Sequence, residues 1–259
     1  MNFCQLFNLP PLPASPDTLV SFVAYQTIVL RNSVTTTLNA LSAIRREHLN
    51  AGHDLPTPTT FFPLSEAVRG ARRFLSRPTI QKSPIYPSLL AALIGLTDWA
   101  SPMRCLYLTL WYTFARLASL IPTNSSFDVN SHLSWSNIVF HSDYVEIVVP
   151  KTKTIQCNER KLRFFIPKHQ NLSVCLYTQL RSLYLSSLFR NPTDPVFVVQ
   201  HLGCWKPLSR QTANPTFKAA LTAIGVNSSA YGWSSFRRAR ATSCFIATGD
   251  VEALREHGD

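Results

Sequence analysis

No CxxC pair occurs anywhere in the chain, and none of the six cysteines (Cys4, Cys105, Cys157, Cys175, Cys204, Cys244) stands with histidine at zinc-ligand spacing. That excludes a zinc ribbon or finger and reads as reduced thiols in an intracellular protein. The first residues, MNFCQLFNLPPLP, have neither a charged start nor a long apolar run, so a secretory leader is not expected. The longest apolar stretch, CLYLTLWYTFARLASLI at 105–121, is shorter than the ~20 residues a bilayer needs and is interrupted by Arg116. It reads as a buried helix, and no membrane partner is expected. No internal period marks a repeat protein. Charged residues are only 15% against 46% hydrophobic, which excludes a disordered chain. Acidic residues are scarce as well: 14 Asp and Glu face 25 Lys and Arg, a formal net charge of +11 over 259 residues. A globular chain this basic is drawn to a polyanion, nucleic acid first and anionic membrane second.

What is present reads as mainly α with a small antiparallel β-meander, an α+β chain. Ser15-Pro16-Asp17 starts a helix whose Leu19, Phe22 and Val23 share a face. Ser33 opens a second, with Val34, Leu38, Leu41 and Ile44 inward and Gly52 past its end. A third runs from about Leu64, with Arg69, Arg72 and Arg73 at i, i+3 and i+4 as one basic stripe. Arg45 and Arg46 add charge nearby. The polar, proline-bounded stretch SRPTIQKSP reads as a linker. Helices resume at about 87–96 and after Ser101-Pro102, the latter apolar nearly all round and ending at Arg116. Three β-rich runs follow at 137–140, 144–150 and 160–167, with Lys151 and Lys153 in the second connection. Further helices are expected at about 174–188, from about Asn214 to Ile224, from the arginine cluster to Thr248, and briefly from Asp250.

That cluster, SSFRRARAT at 234–242, places Arg237, Arg238 and Arg240 between aromatic and apolar residues. Guanidiniums set against core await an anion. Singly, the cations have plain structural readings: Arg116 at a helix end, Lys151 and Lys153 on a solvated turn, Arg238 and Arg240 facing water. Their order in the chain says more. YTFARLASLIP, VVPKTKTIQ, YGWSSFRRARAT and LREHGD resemble, in sequence, the first-arginine motif, the hairpin lysine, the HxxRR-x-x-AT box and the opening of the last segment of tyrosine recombinases, the phage-integrase-like enzymes. The amino-terminal third is similar to the helical core-binding domain of the eukaryotic transposon type.

The resemblance implies a helical SAM-like core-binding domain over 1–76, a linker over 77–86 and a tyrosine-recombinase catalytic domain over 87–259 that is C-terminally incomplete. It implies DNA recombination or integration: phosphodiester cleavage and rejoining through a phosphotyrosine, without metal or cofactor. Arg116 and Arg237 would hold the non-bridging oxygens of the phosphate, Lys153 would protonate the leaving oxygen, and His257 falls in the region of the second His/Trp. Arg45, Arg46, Arg69, Arg72, Arg73, Ser234, Arg238 and Arg240 are the DNA-binding candidates, with even weight on surface charge for Arg238 and Arg240. The partner implied is double-stranded DNA, in an assembly of copies that is tetrameric in the family, and the expected location is the nucleus. Two departures stand out. Position 234 holds Ser where the family box has His, and no tyrosine follows Tyr231. A piece of an active enzyme and a non-catalytic DNA-binding remnant or domesticated module both remain open.

Overall fold

Serine hydroxyls set where the first helices begin. Ser15 Oγ accepts from Thr18 N–H at 3.1 Å, and Ser33 Oγ from Thr36 N–H at 3.1 Å; each satisfies a donor that a helix start leaves open. A computed structural model describes residues 3–75, 81–151, 162–201 and 203–250, and the chain divides into two units, 1–80 and 81–259.

The first unit is helical. A short helix α1 (Phe3–Leu6) precedes α2 (Pro16–Ala24), which runs into a π-helical turn at Tyr25–Val29. Then come α3 (Val34–Asn50), closed by Gly52 at φ +81°, and α4 (Phe62–Phe74). Leu19, Val23, Leu41, Leu55, Leu64, Val68 and Ala71 form its core. The buried ring of His48 ties the segment before α2 to α3: Nε2 accepts from Ala14 N–H at 2.9 Å and Nδ1 faces the Ile44 carbonyl at 2.8 Å. Ser33→Ala removes a cap and lowers the unfolding free energy of this unit by about 1 kcal/mol, to be read from urea denaturation.

The second unit is built around one helix. After α5 (Pro87–Gly95), Ser101 caps α6 (Pro102–Thr113). Cys105, Leu106, Tyr107, Leu108 and Thr109 of α6 are all at 0% exposure, so no side of the helix faces water there. Its one cation, Arg104, is buried against backbone carbonyls, Nη1 donating to Thr97 at 3.1 Å and Nη2 to Ser173 at 3.3 Å, with the Trp99 ring 5.4 Å away. A short α7 (Leu117–Leu120) follows. Strands β1 (Ile138–Phe140), β2 (Tyr144–Val149) and β3 (Leu162–Pro167) form the antiparallel meander in the order β1-β2-β3. Its register sets Ile147 against Ile138 and Phe164, so the alternating side chains Val145, Ile147, Phe164 and Ile166 enter the core. Then come α8 (Leu176–Ser186), the hairpin β4 (Val198–His201) with β5 (Cys204–Pro207), α9 (Arg210–Ala223) and α10 (Ser234–Thr248), ended by Gly249 at φ +66°.

The architecture is the expected α+β one, with three differences in detail. The apolar run after α8 is half of a hairpin whose second strand, CWKP, has no β-branched residue to announce it. Helix α9 starts at Arg210, four residues before Asn214, because Ser209 and Thr212 form a capping box and Pro215 is accommodated inside the helix. The all-apolar helix stops at Thr113: Phe114 takes a left-handed conformation, φ +53°, and turns the chain. Among the described residues no helix is long and apolar enough to cross a membrane.

Candidate functional site

Four aromatic rings decide where α10 begins. Phe236 stacks on Tyr107 with centroids 5.6 Å apart and planes at 17°, Phe217 of α9 stacks on Trp233 at 4.5 Å, and Tyr107 and Phe217 meet at 5.9 Å. The cluster pins the start of α10 between α6 and α9. Burial raises the Tyr107 phenol far above its usual range, so this hydroxyl stays neutral. Ser235, also fully buried, folds back on the turn: its Oγ accepts from Gly232 N–H at 3.0 Å while its own N–H reaches the Gly232 carbonyl at 2.9 Å.

With that start fixed, the helical period distributes the cluster. Phe236 and Ala239 point into the core, Ser234 and Arg238 are exposed, and Arg237 and Arg240 are half-buried. Arg240 lies one turn after Arg237, on the same side of α10. Its guanidinium stands 6.0 Å over the Phe114 ring, in cation–π range at the end of α6, and its Nε is buried without a hydrogen-bond partner among the described residues. Arg240 therefore lies on the Arg237 side of α10, against Phe114, and is not a fully solvated surface charge.

Arg116 enters from the other element. It does not sit in the last turn of the buried helix; the left-handed Phe114 has already ended that helix, and Arg116 occupies the extended N-cap position of α7, φ −75° and ψ 142°, half-buried. The same turn that ends at Arg116 carries the ring beneath Arg240. The first turn of α10 thus packs on the middle of α6 through Phe236 and Tyr107, and Arg240, one turn on, reaches Phe114 in the turn from which Arg116 arises. Lys151 is exposed just after β2. Lys153 and His257 lie outside the described residues.

Compared with known proteins, no family model and no curated protein matches the sequence. Solved structures do. The transposon Tn1549 integrase (residues 82–397), in complex with circular intermediate DNA, superposes with a TM-score of 0.60 at 13% identity, covering 96% of this chain and 78% of that one. A lambda integrase (75–356) dimer bound to a COC′ core site superposes with a TM-score of 0.54 at 14% identity, covering 96% and 83%. The chain has a tyrosine-recombinase-like integrase fold.

Within the integrase fold the remaining candidates are spread over the first unit. Arg69, Arg72 and Arg73 line the exposed side of α4, opposite Leu64, Val68 and Ala71. Arg69 Nη1 contacts Glu66 Oε1 at 3.3 Å, an exposed pair of small energetic weight. Arg45 reaches Asp54 at 3.6 Å, and with Arg46 borders a cavity of about 290 Å³ between α3 and the Leu55–Pro58 segment.

Two lysines that the sequence reading passed over hold the loop before α10. Lys218 Nζ donates to the carbonyls of Ser228 and, at 2.7 Å, Tyr231; Lys82 Nζ donates to that of Ser229. Burial, and then the ammonium of Lys82 nearby, pull the Lys218 amine below its ordinary range. Nothing in the local sequence marks Lys218 out. Lys82 stands in the stretch read as linker, of which 76–80 lie outside the described residues, and Ile85 near its end is fully buried.

Proposed function

We propose that this integrase-fold protein binds double-stranded DNA and that the end of α6 and the start of α10 form its phosphate site. The observation that carries the reading is a pair of half-buried arginines, Arg116 in the turn between α6 and α7 and Arg237 at the start of α10, the helix that packs on α6, in a chain of net charge +11 whose structural neighbours are integrases bound to DNA. Planar guanidiniums match the non-bridging oxygens of a phosphodiester, and two of them, held rigidly, neutralise the charge that gathers there when the phosphorus becomes five-coordinate. In the complete reaction a tyrosine hydroxyl attacks, a 3′-phosphotyrosine forms, and the 5′-oxygen leaves with a proton, for which Lys153 is the donor. Arg240 stands beside this site, and His257 is assigned to the same centre. The units correspond in this reading to a helical core-binding domain, gripping the backbone through Arg45, Arg46, Arg69, Arg72 and Arg73, and a catalytic domain. Assembly as a tetramer on DNA in the nucleus belongs to the same proposal.

A second reading, DNA binding without turnover, is favoured by Ser234. Exposed at the first position of α10, its hydroxyl can hydrogen-bond a phosphate oxygen but cannot take up a proton near neutral pH as histidine does. Both readings require a salt-dependent grip on DNA. The logarithm of the affinity for duplex DNA falls linearly with the logarithm of salt concentration, at about −0.9 per phosphate neutralised. Fluorescence anisotropy across a salt series measures it, and a flat line rules out both readings.

A further inference from the structure

Arg238 reads from sequence as either a DNA contact or surface charge, and it is already engaged. From the exposed side of α10 its Nη1 donates to the Lys82 carbonyl at 2.8 Å, across 156 positions of chain. Lys82 begins a short strap, residues 82–85, by which the chain enters the second unit. The strap is sewn down at three more points, two on the loop before α10 and one on the first turn of α10. Lys82 Nζ reaches the Ser229 carbonyl, Ser83 N–H donates to the Ala230 carbonyl at 2.7 Å, and Ile85 N–H donates to the Ser235 carbonyl at 3.2 Å. The Lys82 stem lies against Gly232, where an added Cβ would stand 3.6 Å from its Cγ.

Seen from the loop, four consecutive carbonyls, Ser228 to Tyr231, all receive donors: Lys218 takes the first and last, the strap takes the two between. Lys218 comes from α9, which packs on the unit's core through Ala213, Phe217 and Leu221. The strap does not; its hold depends on its own hydrogen bonds and on the buried Ile85 side chain. Arg237 is the fourth residue of the helix that this loop starts. A guanidinium clamp is worth most when its groups need no reorganisation on meeting the phosphate, and the strap is what steadies this end of it.

We infer that Arg238 is a positioning residue: it pins the strap 82–85 to the start of α10 and thereby sets Arg237, rather than gripping DNA itself. The inference rests on the phosphate-site reading above. It differs from a direct contact in a measurable way, because losing a phosphate contact lowers the salt slope by about one, whereas loosening the site weakens binding at constant slope.

The test uses the full chain and a DNA duplex of arbitrary sequence. Arg238→Met keeps the apolar stem but removes donors and charge; Ser83→Pro removes one strap donor and no charge at all. Each is expected to weaken binding by about fivefold with the salt slope unchanged, and the double variant to be little weaker than either alone, since both break one device. In the DNA-free protein, amide exchange at Ile85 and Ser235 speeds up in both variants. A slope reduced by about one in Arg238→Met, with those amides still protected, overturns the inference in favour of a direct phosphate contact. Unchanged affinity in both variants overturns it too. A wild-type chain that ignores DNA fails at the earlier step and takes the phosphate-site reading with it.

Discussion

Arg237→Ala lowers strand cleavage of target DNA by about 10²–10³-fold while duplex affinity stays within about tenfold of wild type. The asymmetry follows from where the charge is needed. In the bound ground state the scissile phosphate carries one negative charge among many along the duplex, and the remaining cations of a chain at +11 hold the backbone without Arg237. At five-coordinate phosphorus the non-bridging oxygens gain charge, and only groups already aimed at them respond. Arg116→Ala has the same effect, and the double variant falls far short of the product of the two losses, because the arginines act as a unit. Arg237→Lys does not restore activity, since an ammonium lacks the planar fork. The assay is single-turnover cleavage by a chain extended to carry a nucleophilic tyrosine, because no tyrosine follows Tyr231 in these 259 residues. In the 259-residue chain the same substitutions read out in binding, as a salt slope reduced by about one for each arginine. Undiminished cleavage in both single variants would contradict the assignment.

Phe236→Ala destabilises the second unit by about 3–5 kcal/mol, measured by chemical denaturation. The ring is at 0% exposure, stacked on Tyr107 and in contact with Phe217 and Trp233, so its removal opens a void that three rigid neighbours cannot fill. Phe236 adjoins Arg237 in sequence but is turned about 100° from it around the helix, into the core. Phe236→Leu, which refills most of the space, retains most of both stability and DNA affinity. A loss below about 1 kcal/mol for Phe236→Ala would show that the aromatic cluster does not anchor α10.

How much of this was legible beforehand depends on how local the cause is. The helix starts at Ser15, Ser33 and Ser101 and the stops at Gly52 and Gly249 follow from one or two residues, and they were readable as such. The meander was readable because its alternation is period two with β-branched residues on the buried side. The hairpin β4–β5 was not, since its second strand is recognised only by pairing, Val198 with Pro207 and Gln200 with Trp205. The break after Thr113 was equally hidden: nothing in YTFARLA marks a non-glycine residue for the left-handed region, and Phe114 is held there by packing. Arg116 and Arg237 became candidates because each sits in a string of some length that resembles a family motif. The bond Arg238 makes to the Lys82 carbonyl was not legible, its partner being 156 residues away. Lys218 was missed for the same reason, because its role is set by a loop that folds over it. Contacts between distant segments leave no periodic trace in the chain.

The central claim is that Arg116 and Arg237 converge on one phosphate of the double helix. A structure of the protein bound to duplex DNA tests it most directly. The account predicts both guanidiniums within hydrogen-bonding distance of the non-bridging oxygens of a single phosphodiester. Guanidiniums engaged on separate phosphates, or turned away from the backbone altogether, would contradict it.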